Sequence, residues 1–130
     1  MTESEQAEAI LAVLNAALAP AVAYEYGKVP GSNGNAGTEP AKYLLVDISR
    51  RYVGSFRTSG AASLKGYRLG TRYVAKSSGD ARTMRQRVAA ALEGHIIKTE
   101  AGEIGPFMFE TGDPIRPDDT YQVGTDTWTF

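Results

Sequence analysis

The sequence predicts an α+β fold, with a mostly antiparallel sheet and two helices packed on one of its faces. Two stretches repeat their apolar residues every three or four positions, as amphipathic helices do, and most other apolar stretches alternate, as half-buried strands do. The 130 residues suit one domain with one core. We therefore predict a single domain over residues 1–130, with elements in the order α-β-β-β-α-β-β-β.

The first part of the chain predicts a helix, a strand and a loop. Ser4–Leu18 repeats apolar residues at helical spacing, starts with acidic side chains that the helix dipole favours, and is ended by Pro20. Ala21–Lys28 alternates larger apolar residues with small or polar ones and predicts a strand. The stretch near residues 31–41 is rich in glycine and asparagine, which predicts a mobile surface loop.

The middle of the chain predicts a long hairpin and a second helix. Lys42–Phe56 and Tyr67–Ala75 both alternate in the manner of strands, and the stretch near residues 57–66 predicts a mobile loop between them. Ser78–Asp80 suits a helix N-cap, and the apolar residues after it recur at helical spacing until Gly94, where the helix should end.

Three strands are predicted after the second helix. Ile96–Glu100 and Pro106–Glu110 are short and rich in β-formers, and the Ala-Gly turn between them suggests a hairpin. The stretch near residues 111–119 predicts a third mobile loop. Tyr121–Phe130 alternates threonine with aromatic and apolar residues, which predicts a closing strand tied into the sheet.

Charge is unevenly distributed along the chain, although the formal net charge is only -1. Residues 1–41 hold one basic and five acidic groups, residues 42–87 hold eleven and two, and residues 88–130 hold two and eight. Either these charges mingle once the chain folds, or the molecule is bipolar and its basic face meets an acidic partner, a polyanion or a second copy. The sequence leaves both interpretations open.

No group of residues has the makings of a catalytic, cofactor or metal site, so the sequence predicts a cofactor-free protein that is not an enzyme. Cysteine is absent, which excludes disulfides, thiolate ligands and cysteine nucleophiles. The single histidine, His95, suits a helix end, and neither Glu93 nor Glu100 stands at a recognised ligand spacing from it. No serine occupies a nucleophile elbow, the glycine loop lacks a phosphate-binding ending, and prolines interrupt the aspartates between residues 113 and 119, unlike a calcium loop.

Arginines are the most distinctive candidate functional residues. Arg68 and Arg72 share a strand face, so we expect a basic stripe with few acids beside it in sequence. Such a stripe suits a subunit interface, a solvated face, or a small nucleic-acid-binding or regulatory module that uses residues 42–87. The aromatic motif of ribonucleoprotein domains is missing, and the isoelectric point of about 5.8 is low for a dedicated nucleic-acid binder. The candidates for an interface or a lumen are Arg50, Arg51, Arg57, Arg68, Arg72 and Arg116.

Four segments carry a resemblance that spans nearly the whole chain. They are the acidic first helix around Ile10–Leu14, the strand Tyr43–Ile48, the segment Gly70–Val74 with the helix Asp80–Glu93 after it, and the closing Gly124–Phe130. In element order and polarity the chain resembles the tail terminator proteins of long-tailed bacteriophages and related small neck or head–tail joining proteins.

The resemblance implies a ring, commonly of six copies, that caps the head-proximal end of a tail tube, stops tube growth and joins the tail to the head connector. The implied partners are other copies of the chain, a tail tube protein and a head–tail connector or head-completion protein. DNA would only pass through the lumen, which Arg68 and Arg72 are our candidates to line. No cofactor and no membrane are implied, and the protein is expected in the virion after assembly in the host cytoplasm. The acidic N-terminus and the short apolar runs agree with that expectation.

Overall fold

The structure, a computed structural model, describes residues 2–51 and 66–130. The predicted loop near 57–66 lies outside the described residues apart from Gly66, and so does Arg57. In chain order the elements are α1 (Glu3–Leu18), β1 (Val22–Glu25), β2 (Lys42–Arg51), β3 (Gly66–Ala75), α2 (Ser78–Leu92), β4 (Ile97–Thr99), β5 (Gly102–Ile104), β6 (Met108–Gly112), β7 (Arg116–Asp118) and β8 (Tyr121–Thr129).

The first helix, α1, is capped by its own sequence. The Thr2 hydroxyl accepts a hydrogen bond from the Glu5 N–H at 3.1 Å, and the Glu5 carboxylate accepts one from the Thr2 N–H at 3.0 Å. This capping box satisfies two N–H groups at the helix start. Ile10, Leu14 and Leu18 repeat every four residues and are buried on one side of α1, so the predicted amphipathic helix is confirmed.

The second helix, α2, begins one residue earlier than predicted. Its N-cap is Ser77, whose hydroxyl accepts a hydrogen bond from the Asp80 N–H at 3.1 Å. The helix ends at Leu92, two residues before Gly94, which has the positive φ of 73° that suits glycine at a helix end. Its buried stripe consists of Ala81, Met84, Val88 and Leu92.

The main sheet has the strand order β1-β2-β3-β8-β6, and β7 also pairs with β8. β1 runs parallel to β2, and the other strand pairs of this sheet are antiparallel. Both helices share one core with one face of the sheet, so the predicted α+β class and layer arrangement are confirmed. All the predicted elements occur in the predicted order, and β5 and β7 are additional short strands.

Two predictions for the last third of the chain are wrong. The segments 96–100 and 106–110 do not form a hairpin with each other, because β4 pairs with β5 and β6 pairs with β8. The predicted loop near 111–119 contains β7, which pairs with the start of β8. Both β6 and β7 pair with β8, and the backbone hydrogen bonds of this pairing outweigh the local turn signals.

Alternation along β3 separates the two faces of the sheet. Leu69, Thr71 and Tyr73 face the helices and are fully buried. Arg68 and Arg72 lie on the opposite face, and we call this face, with the cross-strand neighbours of the two arginines, the outer face.

Residues 27–41 cover one end of the outer face and build a second, smaller core there. Val29 is 3% exposed and clusters with the buried Tyr43 and Val74. The Asn35 side-chain amide donates hydrogen bonds to the carbonyls of Gly27, at 2.8 Å, and Val29, at 2.9 Å. Asn35 therefore anchors the turn that buries Val29, although it lies in the predicted 31–41 loop, whose mobility stays a prediction.

We expect Gly31→Ala to destabilise this second core more than Gly34→Ala does. Both glycines have φ of +78°, a conformation that costs other residues about 1–2 kcal/mol. A Cβ at Gly31 would lie 2.5 Å from the Glu39 nitrogen, whereas a Cβ at Gly34 would meet nothing within 4 Å. Urea unfolding of the two variants measures the difference. Equal losses would mean that the segment is not packed as described.

Candidate interaction surface

The outer face brings arginines of β3 together with acids from the end of the chain. The Arg68 guanidinium forms a forked pair with Glu110, with Nε–Oε1 at 2.8 Å and Nη2–Oε2 at 3.0 Å. Arg72 Nη2 lies 3.4 Å from Asp118 Oδ2. The expected basic stripe is therefore partly neutralised. The acids are remote in sequence. They reach the arginines because β6 and β7 both pair with β8, and β8 is the neighbour of β3.

The other candidate arginines do not join one stripe. Arg50 lies two residues after Ile48, on the helix-facing side of β2, and its Nε lies 3.9 Å from Glu3 Oε1 of α1. Arg51 ends β2 opposite Gly66. Arg116 is exposed on β7 opposite Val123, a residue of the outer face. The structure thus places Arg68, Arg72 and Arg116 on the outer face and Arg50 on the helix side.

An aromatic groove of about 410 Å³ lies between residues 27–41 and the β7–β8 connection. Its lining includes Tyr26, Tyr43, Arg72 and Tyr121. The Tyr43 hydroxyl donates a 2.6 Å hydrogen bond to Glu39, and burial together with this carboxylate raises the pKa of Tyr43. The Lys76 ammonium lies 4.0 Å from the centre of the Tyr121 ring, a cation–π contact. The groove therefore combines tyrosine rings with charged side chains.

A buried polar cluster on the helix side was not foreseen from the sequence. Asp126 Oδ2 accepts a 2.9 Å hydrogen bond from the Tyr73 hydroxyl, which lies 2.9 Å from Thr71 Oγ1. The Trp128 indole N–H donates to the same Thr71 oxygen at 3.2 Å. Arg85 of α2 supplies the charge opposite Asp126, with Nε 3.3 Å from Oδ2 but outside hydrogen-bonding geometry.

The cluster joins α2, β3 and β8, and its Asp126 and Arg85 also line a hollow of about 450 Å³ beside β6. Thr71 and Tyr73 are 0% exposed and Asp126 is 5% exposed. Burial above all, together with the Asp126 charge, raises the pKa of Tyr73, so its hydroxyl stays a neutral donor. Arg85 Nη2 also donates to the Asp113 carbonyl at 2.5 Å, which ties α2 to the segment between β6 and β7. Asp126, an acid on the same strand face as Trp128, was the signal in the sequence that could have indicated this cluster.

His95 and the aspartates between residues 113 and 119 are the residues whose sequence spacing was unlike that of a metal site. His95 is exposed after α2, where its backbone N–H bonds the Leu92 carbonyl at 2.9 Å. Across residues 2–51 and 66–130, no three histidine, aspartate or glutamate side chains are grouped as a metal site would require. Asp118 instead pairs with Arg72.

Neither helix in the described part of the chain is both long and apolar enough to cross a bilayer.

Comparison with known proteins gives a fold-level likeness. No protein-family model matches the chain, and no curated protein matches it significantly in sequence. Among solved structures, the chain is similar to one from the "virion of native gene transfer agent (GTA) particle", with a TM-score of 0.53 and 14% sequence identity. The match covers 91% of this chain and 83% of the other. At this identity the likeness shows a shared fold.

Proposed function

We propose that the chain is a structural protein of a phage-type virion and, within that role, a tail terminator. The observation that carries the proposal is the likeness to a chain of a gene transfer agent virion over nearly all of both chains. Within that class of particle, the element order and polarity of the sequence favour the tail terminator family. In this role, six copies of the chain form a ring at the head-proximal end of the tail tube.

The proposed role is non-catalytic and uses surfaces instead of a pocket. Tyr73 and Asp126 of the buried polar cluster are at most 5% exposed. The outer face instead offers exposed arginines, such as Arg68 and Arg72, beside an aromatic groove. Exposed aromatic and arginine side chains are typical of interfaces between proteins.

The proposed partners follow from the position at the end of the tube. They are further copies of this chain, the tail tube protein, and a head–tail connector or head-completion protein. DNA passes through the lumen without being bound as a sequence-specific ligand. The proposed location is the virion, at the head-proximal end of the tail.

The direct test is negative-stain electron microscopy of the purified protein at high concentration, with its mass measured by light scattering. We expect rings with a central hole and a mass several times the 13.9 kDa of one chain. A protein that stays monomeric at every concentration, with and without the tail tube protein, would contradict the proposal.

Replacing Arg68 and Arg72 together with glutamate should leave the chain folded and weaken ring formation. Both arginines are exposed, so the fold loses only two surface ion pairs, whereas an interface gains unpaired negative charge. We expect about a tenfold rise in the concentration needed for half-maximal assembly, equivalent to about 1.4 kcal/mol. Light scattering measures assembly, and circular dichroism checks the fold.

A matched control makes the same change in net charge on helix α2. Arg82 and Arg87 are exposed on α2, and their replacement by glutamate should affect assembly less. Equal loss in both double variants would show a general charge effect and remove Arg68 and Arg72 from the interface.

The alternative, a nucleic-acid-binding or regulatory module, predicts oligonucleotide binding that falls steeply with salt. The pairing of Arg68 with Glu110 and of Arg72 with Asp118 speaks against it, because these acids repel phosphate from the same face.

A further inference from the structure

The hollow beside β6 lies between the end of α2, β6 and the last strand, β8. Its volume of about 450 Å³ is within the range of about 300–1,000 Å³ that is usual for ligand pockets. The floor is nearly buried, with Asp126 5% and Trp128 1% exposed. The rim carries the exposed side chains of Phe109 and Pro114. The hollow therefore has the shape of a seat for one side chain of a partner.

One carboxylate oxygen in the floor has no hydrogen-bond donor. Asp126 Oδ2 accepts from the Tyr73 hydroxyl and faces Arg85, whereas no residue in the described part of the chain donates to Oδ1. Gly112 leaves space against this oxygen, because a Cβ at that position would collide with Oδ1. A nearly buried acceptor without a donor is unfavourable. Oδ1 is therefore an acceptor for a donor that enters the hollow.

Negative charge prevails around the hollow. The side chains of Glu93 and Asp113 belong to its lining and are exposed, and neither takes part in an ion pair with a described residue. The positive charge of Arg85 is already engaged by Asp126 and by the Asp113 carbonyl. Within residues 2–51 and 66–130 no three acids are grouped as metal ligands, so an organic cation fits the hollow better than a metal ion.

Aromatic rings supply the apolar part of the hollow. Phe109 contacts Trp128 edge to face, with a centroid distance of 5.6 Å, and is itself 49% exposed. An exposed ring face attracts a cation. Among basic side chains, arginine is less strongly hydrated than lysine, stacks on aromatic rings and carries five N–H donors. Arginine therefore suits a site that combines a ring with a nearly buried acceptor.

We propose that the hollow beside β6 binds an arginine side chain from a basic segment of a partner protein. The guanidinium donates to Asp126 Oδ1, and the exposed acids of the rim attract the segment. Residues 88–130 hold two basic and eight acidic groups, which favours a basic partner over a second copy of a chain with a net charge of -1. The inference depends neither on a ring nor on the tail terminator role.

The test is an NMR titration of the full chain with the peptide acetyl-Val-Thr-Arg-Thr-Val-amide. Trp128 is the single tryptophan, so its indole N–H gives one identifiable signal from the floor of the hollow. We expect saturable shifts of this signal and of the Gly112 amide. The same peptide with citrulline, which has the shape of arginine without its charge, should bind at least about tenfold more weakly. No shift at millimolar peptide, or equal binding of the two peptides, would overturn the proposal. A lysine peptide that binds as tightly as the arginine peptide would overturn the choice of arginine.

Neutral variants of the rim acids test the attraction. Glu93→Gln combined with Asp113→Asn should weaken binding of the arginine peptide about fivefold, because each exposed charge contributes modestly. The matched control, Glu100→Gln combined with Glu103→Gln, makes the same change in net charge at exposed positions outside the lining and should change binding less than about twofold. Equal weakening in both double variants would overturn the role of the rim. Circular dichroism checks the fold of each variant.

The outcomes separate this inference from the proposed function. A failed titration would overturn the arginine seat and leave the tail terminator role standing. Peptide binding by a protein that forms no ring would support the seat and contradict the ring. If the rim variants reduce self-association in light scattering while the peptide stays unbound, the occupant is a second copy and the proposal is overturned.

Discussion

Trp128→Ala should lower the free energy of unfolding by about 3–5 kcal/mol, as large aromatic deletions in cores do. Trp128 is 1% exposed and contacts the Phe109 ring with a centroid distance of 5.6 Å. Its indole N–H also holds Thr71 Oγ1 in the polar cluster. Removing the ring therefore leaves a cavity and takes a donor from that hydroxyl. Urea unfolding followed by circular dichroism measures the loss.

Trp128→Phe is the control that separates packing from hydrogen bonding. It keeps an aromatic ring in the core but removes the N–H donor and part of the ring volume, so we expect a clearly smaller loss than for alanine. Equal losses would mean that the hydrogen bond to Thr71 outweighs the cavity. A loss below about 1 kcal/mol for the alanine variant would contradict the burial of this side chain.

Asp126→Ala should cost about 2–3 kcal/mol, because it leaves the Tyr73 hydroxyl without its acceptor and Arg85 without its counter-charge. The cost of breaking a fully buried ion pair is higher, but the Arg85 side chain is 27% exposed and water compensates part of its charge. Urea unfolding at neutral pH measures the loss.

Two further variants identify the source of that cost. Asp126→Asn keeps an acceptor for Tyr73 and loses the charge, so it should cost less than alanine. A double-mutant cycle with Arg85→Ala should show a coupling of at least about 0.5 kcal/mol, the range found for residues in one network. Strict additivity would show that Arg85 and Asp126 do not interact.

The polar cluster also supports the end of β6. Arg85 holds the Asp113 carbonyl, and Gly112 lies against Asp126, so the buried cluster fixes the end of β6. The sequence could not indicate this, since Arg85 and Asp126 are separated by the whole of the β4–β7 region.

Local sequence patterns were enough to predict both helices, the strands β1, β2, β3, β4, β6 and β8, and the faces of α1 and β3. The repeat of Ile10, Leu14 and Leu18 predicts the buried side of α1, and alternation along β3 places Arg68 and Arg72 opposite the core. Both depend only on the geometry of a single helix or strand, which repeats every 3.6 or 2 residues. Arg68 and Arg72 could therefore be assigned to one face before the fold was known.

Pairing between remote segments was decided only by the tertiary structure. The partners Glu110 and Asp118, the exchange of the predicted hairpin for β6–β8 pairing, and the buried Asp126 all depend on where β8 lies in the sheet. The sequence alone determined which residues each face presents, because side-chain periodicity is local. Which strands become neighbours, which edges stay open and which charges meet depend on contacts between segments far apart in the chain, and a local pattern carries no record of them.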